Sequence, residues 1–187
     1  QHNYPSWLYS VDQGANTIWE RWNTYTAEDG FGDVSMNSFN HYSYGAVAGW
    51  MYKTIAGISY DTENPGFKNI VLEPALDARL SHVKSAYESV YGLIETESEA
   101  NGENWTYKTT IPANTTATVK LPVEGKTLMV NGKALSALAL ETDGIVYTGT
   151  VDGVATFDAV AGSFEFKAET SATQLDWSKP QYCQHCK

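Results

Sequence analysis

After Pro65 the apolar residues stop recurring at helical spacing and begin to alternate with polar ones, a period that only paired strands accommodate. Asn69 to Glu73 is a short apolar run ended by Pro74, and Leu80 to Tyr87 alternates in part. Gly92 to Ser98, Trp105 to Ile111 and Thr116 to Leu121 alternate more fully, and Gly162 to Lys167 carries Phe164 and Phe166 on one face. Asn101-Gly102, Asn131-Gly132, Asp143-Gly144 and Asp152-Gly153 punctuate these runs with residues that tolerate the positive φ of tight hairpins. Short strands at short intervals with such turns predict an antiparallel β-sandwich.

The residues before Pro65 follow another period. Phe39, Tyr42, Ala46, Val47, Trp50, Met51, Thr54 and Ile55 recur at three and four, predicting a helix over 38–58 with Ser38 or Asn37 as its cap. Gly57 marks its end. The small residues Gly45, Ala46, Ala48 and Gly49 would let a neighbouring helix approach closely. A shorter helical turn is expected after Pro5, broken by Gly14. Residues 16–22 read as extended, with Ile18, Glu20 and Trp22 on one side and Trp19 and Arg21 on the other. The polar, glycine-containing run 26–34 reads as a loop rimming a pocket.

Thr17-Ile18-Trp19-Glu20-Arg21-Trp22 sets one carboxylate between two indoles, and Asn37-Ser38-Phe39-Asn40-His41-Tyr42 comes soon after. Sugars present flat C–H faces that suit indole and hydroxyls that suit carboxylate, imidazole and amide. Desolvation by aromatic walls also tunes a glutamate's protonation. The competing reading of Glu20 is an ion pair with Arg21 inside an ordinary core. For His41, placed in the first turn of the expected helix, the dipole favours a neutral ring, and the competing reading is a cap-region histidine bonded to a loop.

Charge and composition narrow the partners. The 187 residues carry a net charge of −10, without a basic cluster, which disfavours nucleic acid and anionic membranes. No stretch approaches the length of a membrane span. Six Trp and 12 Tyr are many for this length; carbohydrate sites use such rings, but so do tyrosine-rich sandwiches. Tyr87, Tyr91, Trp105 and Tyr107 therefore stand either as a sugar platform or as core and cross-strand pairs, and exposure decides between them. Asn104-Trp105-Thr106 and Asn114-Thr115-Thr116 fit the glycosylation pattern, a short pattern that chance produces often. Cys183 and Cys186, with His185 between them, supply too few ligands for a zinc site on their own and read as part of a loose tail.

Several segments taken in order resemble the C-terminal part of bacterial α-L-rhamnosidases: Tyr4-Pro5-Ser6-Trp7-Leu8-Tyr9, Gln13 to Trp22, Asn37 to Val47, Pro65 to Ile70, Tyr87 to Ile94 and Ile111 to Ala117. The resemblance spans about Tyr4 to Phe166. It implies the last helices of an (α/α)6 toroid followed by an antiparallel β-sandwich, an α+β chain of more than one domain. It implies an inverting glycosidase releasing terminal α-L-rhamnose, with Glu20 as general base and His41 contacting the sugar; Trp22 and Asn40 are the further substrate-binding candidates. The family's general acid lies on an acidic, tryptophan-bearing loop upstream. Asp12, Glu28, Asp29 and Asp33 match no such motif, so the chain reads as a C-terminal portion that holds the base without the acid and is inactive alone.

The resulting expectation is a toroid remnant over 1–62, a sandwich over 63–169 and a disordered tail over 170–187. Rhamnose-containing glycosides are the expected ligands, and no metal or organic cofactor is required by these residues. The apolar helical face around Trp50, Met51 and Ile55 should meet the rest of a longer polypeptide or a second copy. A toroidal glycosidase for another sugar, and a non-catalytic sugar-binding or scaffold fragment, are the alternatives.

Overall fold

The computed structural model describes residues 2–171. The chain divides at Ile55/Ala56 into two compact units. It is mostly β, with few helices.

In the first unit, α1 (Trp7–Asp12) starts where the Ser6 Oγ accepts the Tyr9 N–H at 3.1 Å, and it ends before Gly14, whose φ of +88° no helix continues. A two-residue hairpin comes next, β1 (Tyr25–Thr26) on β2 (Gly30–Phe31), within the run expected to be a loop. The helix expected over 38–58 is shorter. A 3-10 turn (Ser43–Ala46) leads into α2 (Val47–Trp50), which widens into a π-helical turn (Met51–Ile55). Residues 38–41 stay out of it because their backbone pairs elsewhere: the Ser38 carbonyl accepts from Glu20 N–H at 2.9 Å, and His41 N–H donates to the Ile18 carbonyl at 2.7 Å. The dipole argument for His41 therefore lapses. The helical segment also lacks cover, with Val47, Trp50, Met51 and Tyr52 all exposed. Only Ser10, Trp19 and Thr24 are buried among the described residues of this unit.

The second unit is built on one nine-stranded sheet. Its strands are β3 (Ile58–Tyr60), β4 (Asn69–Leu72), β5 (His82–Ser89), β6 (Gly92–Asn101), β7 (Asn104–Pro122), β8 (Lys126–Val130), β9 (Lys133–Ala134), β10 (Ile145–Val151) and β11 (Val154–Thr170). The sheet is mixed, which corrects the antiparallel expectation: β4 runs parallel to β7, from Asn69↔Thr116 to Leu72↔Val119. β7 and β11 form its spine and pair antiparallel along nearly their whole length. One half of that spine carries β6, β5, β8 and β9, and the other carries β4, β3 and β10.

A register shift between Val160 and Gly162 separates the two halves. Buried positions on β11 are odd before it (Ala155, Phe157, Ala159) and even after it (Phe164, Phe166, Ala168). Across that shift β11 leaves Ala161 outside the pairing and β7 leaves residues 112–115, and the change of phase on β11 keeps both halves facing one core. Phe157 from one half meets Phe166 from the other, edge to face, at 5.2 Å, and Tyr107 lies 6.0 Å from Phe166.

The turn dipeptides act as their chemistry requires in most places. Asn131-Gly132 (φ +47° and +75°) and Asp152-Gly153 (φ +50° and +76°) close β8–β9 and β10–β11 as type I′ turns. Asp143-Gly144 does not form a hairpin: Gly144 (φ +70°) caps the short helix α3 (Leu140–Asp143). The expectation for the tail lies, beyond Ser171, outside the described residues, as do Cys183 and Cys186.

Candidate active site

Glu20 and His41 sit on two segments of the first unit that pair side by side. Besides the two backbone bonds already given, the Thr17 hydroxyl donates to the Phe39 carbonyl. The Glu20 carboxylate is half-buried, and its Oε2 accepts the Ser38 N–H at 2.8 Å. Among the described residues no ion pair joins it to Arg21. Ser38 thus holds Glu20 twice, through its carbonyl and through its N–H.

The two residues after His41 fix its ring. Nδ1 accepts the Ser43 N–H at 3.3 Å, which puts the proton of the neutral ring on Nε2 and leaves that N–H to donate outward. The ring stacks flat on Tyr42 at 5.5 Å. Asn40 is exposed, and its backbone N–H donates to the Ser38 Oγ at 3.1 Å, so the same serine fixes its backbone.

Trp22 sits among other rings. The extended reading of 16–22 fails at Arg21, where the chain turns: Thr24 N–H donates to the Arg21 carbonyl at 3.2 Å, and the Thr24 hydroxyl accepts the Arg21 N–H at 3.2 Å. Simple alternation cannot place Trp22 beside Glu20 across that turn. Trp22 stacks on Tyr44 at 4.4 Å and 12°, and Trp7 meets both rings edge-on at 5.3 and 5.8 Å. These three rings, with Ile18, Trp19 and Arg21, line a concavity of about 310 Å³. Trp19 is 7% exposed and packs edge-on against Phe39 at 5.4 Å. Sequence reading therefore missed Ser38, Thr24, Trp7 and Tyr44. The aromatic pair had a signal in its residue types, whereas the serine and threonine act through backbone bonds that no pattern announces.

Of the acidic residues near Glu20 in sequence, Asp33 can be judged as a proton donor. The Ser35 N–H, then its hydroxyl, and more weakly the Arg21 charge hold Asp33 below the usual carboxylate range. A general acid needs the opposite shift. In the second unit, Trp105 and Tyr107 are buried, while Tyr87 leans on Phe67 at 4.7 Å and 39° and Lys68 Nζ sits 5.3 Å from the Tyr91 ring centre. Burial favours the scaffold reading for Trp105 and Tyr107, whereas Tyr87 and Tyr91 are exposed.

Residues 1–55 match the bacterial alpha-L-rhamnosidase 6 hairpin glycosidase domain, and residues 57–136 match the bacterial alpha-L-rhamnosidase C-terminal domain. The chain belongs to the bacterial alpha-L-rhamnosidase family. An alpha-L-rhamnosidase of Formosa agariphila is 35% identical over 175 residues, covering 90% of this chain and 18% of that protein. One of Streptomyces avermitilis is 32% identical over 166 residues, covering 89% and 15%. The Streptomyces avermitilis alpha-L-rhamnosidase complexed with L-rhamnose superposes with a TM-score of 0.72 at 30% identity, over 90% of this chain and 15% of that one. The Dictyoglumus thermophilum alpha-L-rhamnosidase gives 0.71 at 26%, over 90% and 18%. The chain thus spans less than a fifth of the length of these rhamnosidases. Its place is in a glycoside hydrolase family.

Proposed function

We propose that this chain contributes the general base to an inverting glycosidase that releases terminal α-L-rhamnose. Glu20, ionised, draws a proton from water as that water attacks the anomeric carbon from the face opposite the leaving group. His41 offers its Nε2–H to a sugar hydroxyl, and Asn40 and the Trp22 cluster supply further polar and flat apolar contacts. The general acid that protonates the departing oxygen belongs to the longer enzyme, at a carboxyl separation of roughly 6.5–9.5 Å that leaves room for the water. In that enzyme residues 1–55 form the last helices of an (α/α)6 toroid, and the second unit is a scaffolding β-sandwich. The exposed face of Val47, Trp50 and Met51 packs against the remaining helices, and against another copy when those are missing.

The observation that carries the reading is the double hold of Ser38 on Glu20 within a segment paired to that of His41. A carboxylate fixed by one N–H, without a cation beside it, keeps an oxygen lone pair for water. The test uses the full-length enzyme and an aryl α-L-rhamnoside. Glu20→Ala should lower kcat by about 10²–10⁴-fold, and NMR of the unsubstituted enzyme should show β-L-rhamnose as the first product. Retained turnover in the variant, or an α-anomer released first, would overturn it. The chain alone should give no turnover.

A further inference from the structure

The outer face of β5 and β6 brings together three side chains that have no part in the glycosidase reading. His82 and Glu99 are direct cross-strand partners, and Glu97, two residues before Glu99, projects from the same face. His82 Nε2 lies 3.0 Å from Glu97 Oε1, and one donor atom from each of the three residues falls within 4.8 Å of the others. Zinc bonds of about 2.0–2.2 Å in a tetrahedron set neighbouring ligand atoms roughly 3.3–3.6 Å apart. The first pair is thus within a few tenths of an ångström of that spacing. Glu99 is exposed, so its side chain has room to rotate toward that spacing.

We propose that His82, Glu97 and Glu99 form a zinc-binding site with its fourth position open to water or another ligand. Lys84 engages the other Glu97 oxygen, at 3.7 Å, so Oε1 is left for the metal. Little opposes the exchange, since the His82–Glu97 contact is a largely exposed pair of the kind that adds little stability. Beside the cluster lies a depression of about 390 Å³, lined by His82, Glu99, Asn104, Thr106, Lys167 and Glu169, which gives the fourth ligand room. One imidazole with two carboxylates suits zinc better than magnesium or calcium, which favour all-oxygen shells.

Cys183, His185 and Cys186 could also bind zinc, so the experiment uses the full chain carrying C183S, H185A and C186S. Zinc chloride titration by calorimetry should show one bound ion, and cobalt substitution should give the visible absorption of tetrahedral Co²⁺. His82→Ala and Glu99→Gln, both at exposed positions, should each weaken binding by at least about tenfold with an unchanged circular dichroism spectrum. No zinc binding by the tail-substituted chain would overturn the proposal. Binding that survives His82→Ala, or calcium and magnesium binding as tightly as zinc, would overturn it as well.

Discussion

Gly57 shows how much one residue can determine. Its φ is +71°, and a Cβ there would meet the Pro74 nitrogen at 2.2 Å and the Glu73 carbonyl carbon at 2.4 Å. The same two strands are tied by Glu73 N–H on the Gly57 carbonyl at 2.9 Å, so the backbone cannot retreat without losing that bond. Gly57→Ala should therefore cost at least about 3 kcal/mol in urea unfolding. Gly132→Ala, at φ +75° with open space around it, should cost only about 1–2 kcal/mol. Equal losses would mean that conformation alone, and not the close approach, matters at Gly57. Tyr107 offers a pH test. Its phenol is buried, and desolvation raises its pKa against a weaker opposing pull from the Thr109 side chain. Because the folded pKa is raised, the neutral ring's contribution is complete below the unfolded value of about 10 and is lost as pH climbs above it. Unfolding midpoints should fall more steeply above that pH for the unsubstituted chain than for Tyr107→Phe, by up to ~1.4 kcal/mol per pH unit. Parallel curves would refute this. Glu20, His41, Asn40 and Trp22 could all be named from residue types and motif order. That Trp22 packs on Trp7 and Tyr44 could not, because the turn at Arg21 is closed by Thr24, a residue with no sugar chemistry of its own.

Elements were legible where apolar residues are large and alternate cleanly, as in Trp105 to Ile111. They were hidden where the inward positions are small. Ala155 and Ala159 are buried on β11 yet contribute little hydrophobic contrast, so the first half of that strand escapes a pattern reading. Leu128, Met129 and Val130 are consecutive apolar residues, which masks the alternation of β8 even though Met129 faces out. The expected strands over 105–111 and 116–121 proved to be one strand, β7, running through Pro112 and Asn114. The start of the helix was misplaced for another reason. Phe39 and Tyr42 fit the helical period, but the backbone of 38–41 is engaged with 18–20, and long-range pairing leaves no trace in local spacing. The shift in β11 yields a prediction of its own. Deleting Ala161 would shorten the step between the two phases of β11 by one residue and turn Phe164, Phe166 and Ala168 toward solvent. The variant should lose cooperative unfolding and dispersed amide signals in NMR, whereas a folded protein with an unchanged midpoint would show that the bulge does not set the phase.

At the scale of the whole molecule, the two units differ in how well they satisfy themselves. The second holds its buried cluster on one sheet, from Ile58 to Ala168. The first buries three side chains among its described residues and exposes Trp50 by 54% and Met51 by 51%. So little burial cannot offset chain entropy unless something else covers that face. A net charge of −10 keeps the chain dispersed but does not hide contiguous apolar surface. On the proposed reading the cover is the rest of the glycosidase domain, and its removal leaves self-association as the remaining route to burial. Light scattering of the isolated chain should therefore give a mass above that of one copy, falling with dilution, together with strong binding of an apolar-surface dye. Trp50→Lys with Met51→Lys should return it to a single copy and reduce dye binding, while the same pair in the full-length enzyme should lower its unfolding temperature. The two contexts must respond in opposite senses, because a charge that keeps copies apart in one would be buried against neighbouring helices in the other. A monomeric, dye-silent chain, or a full-length enzyme indifferent to both lysines, would show that this face is solvent-exposed by design.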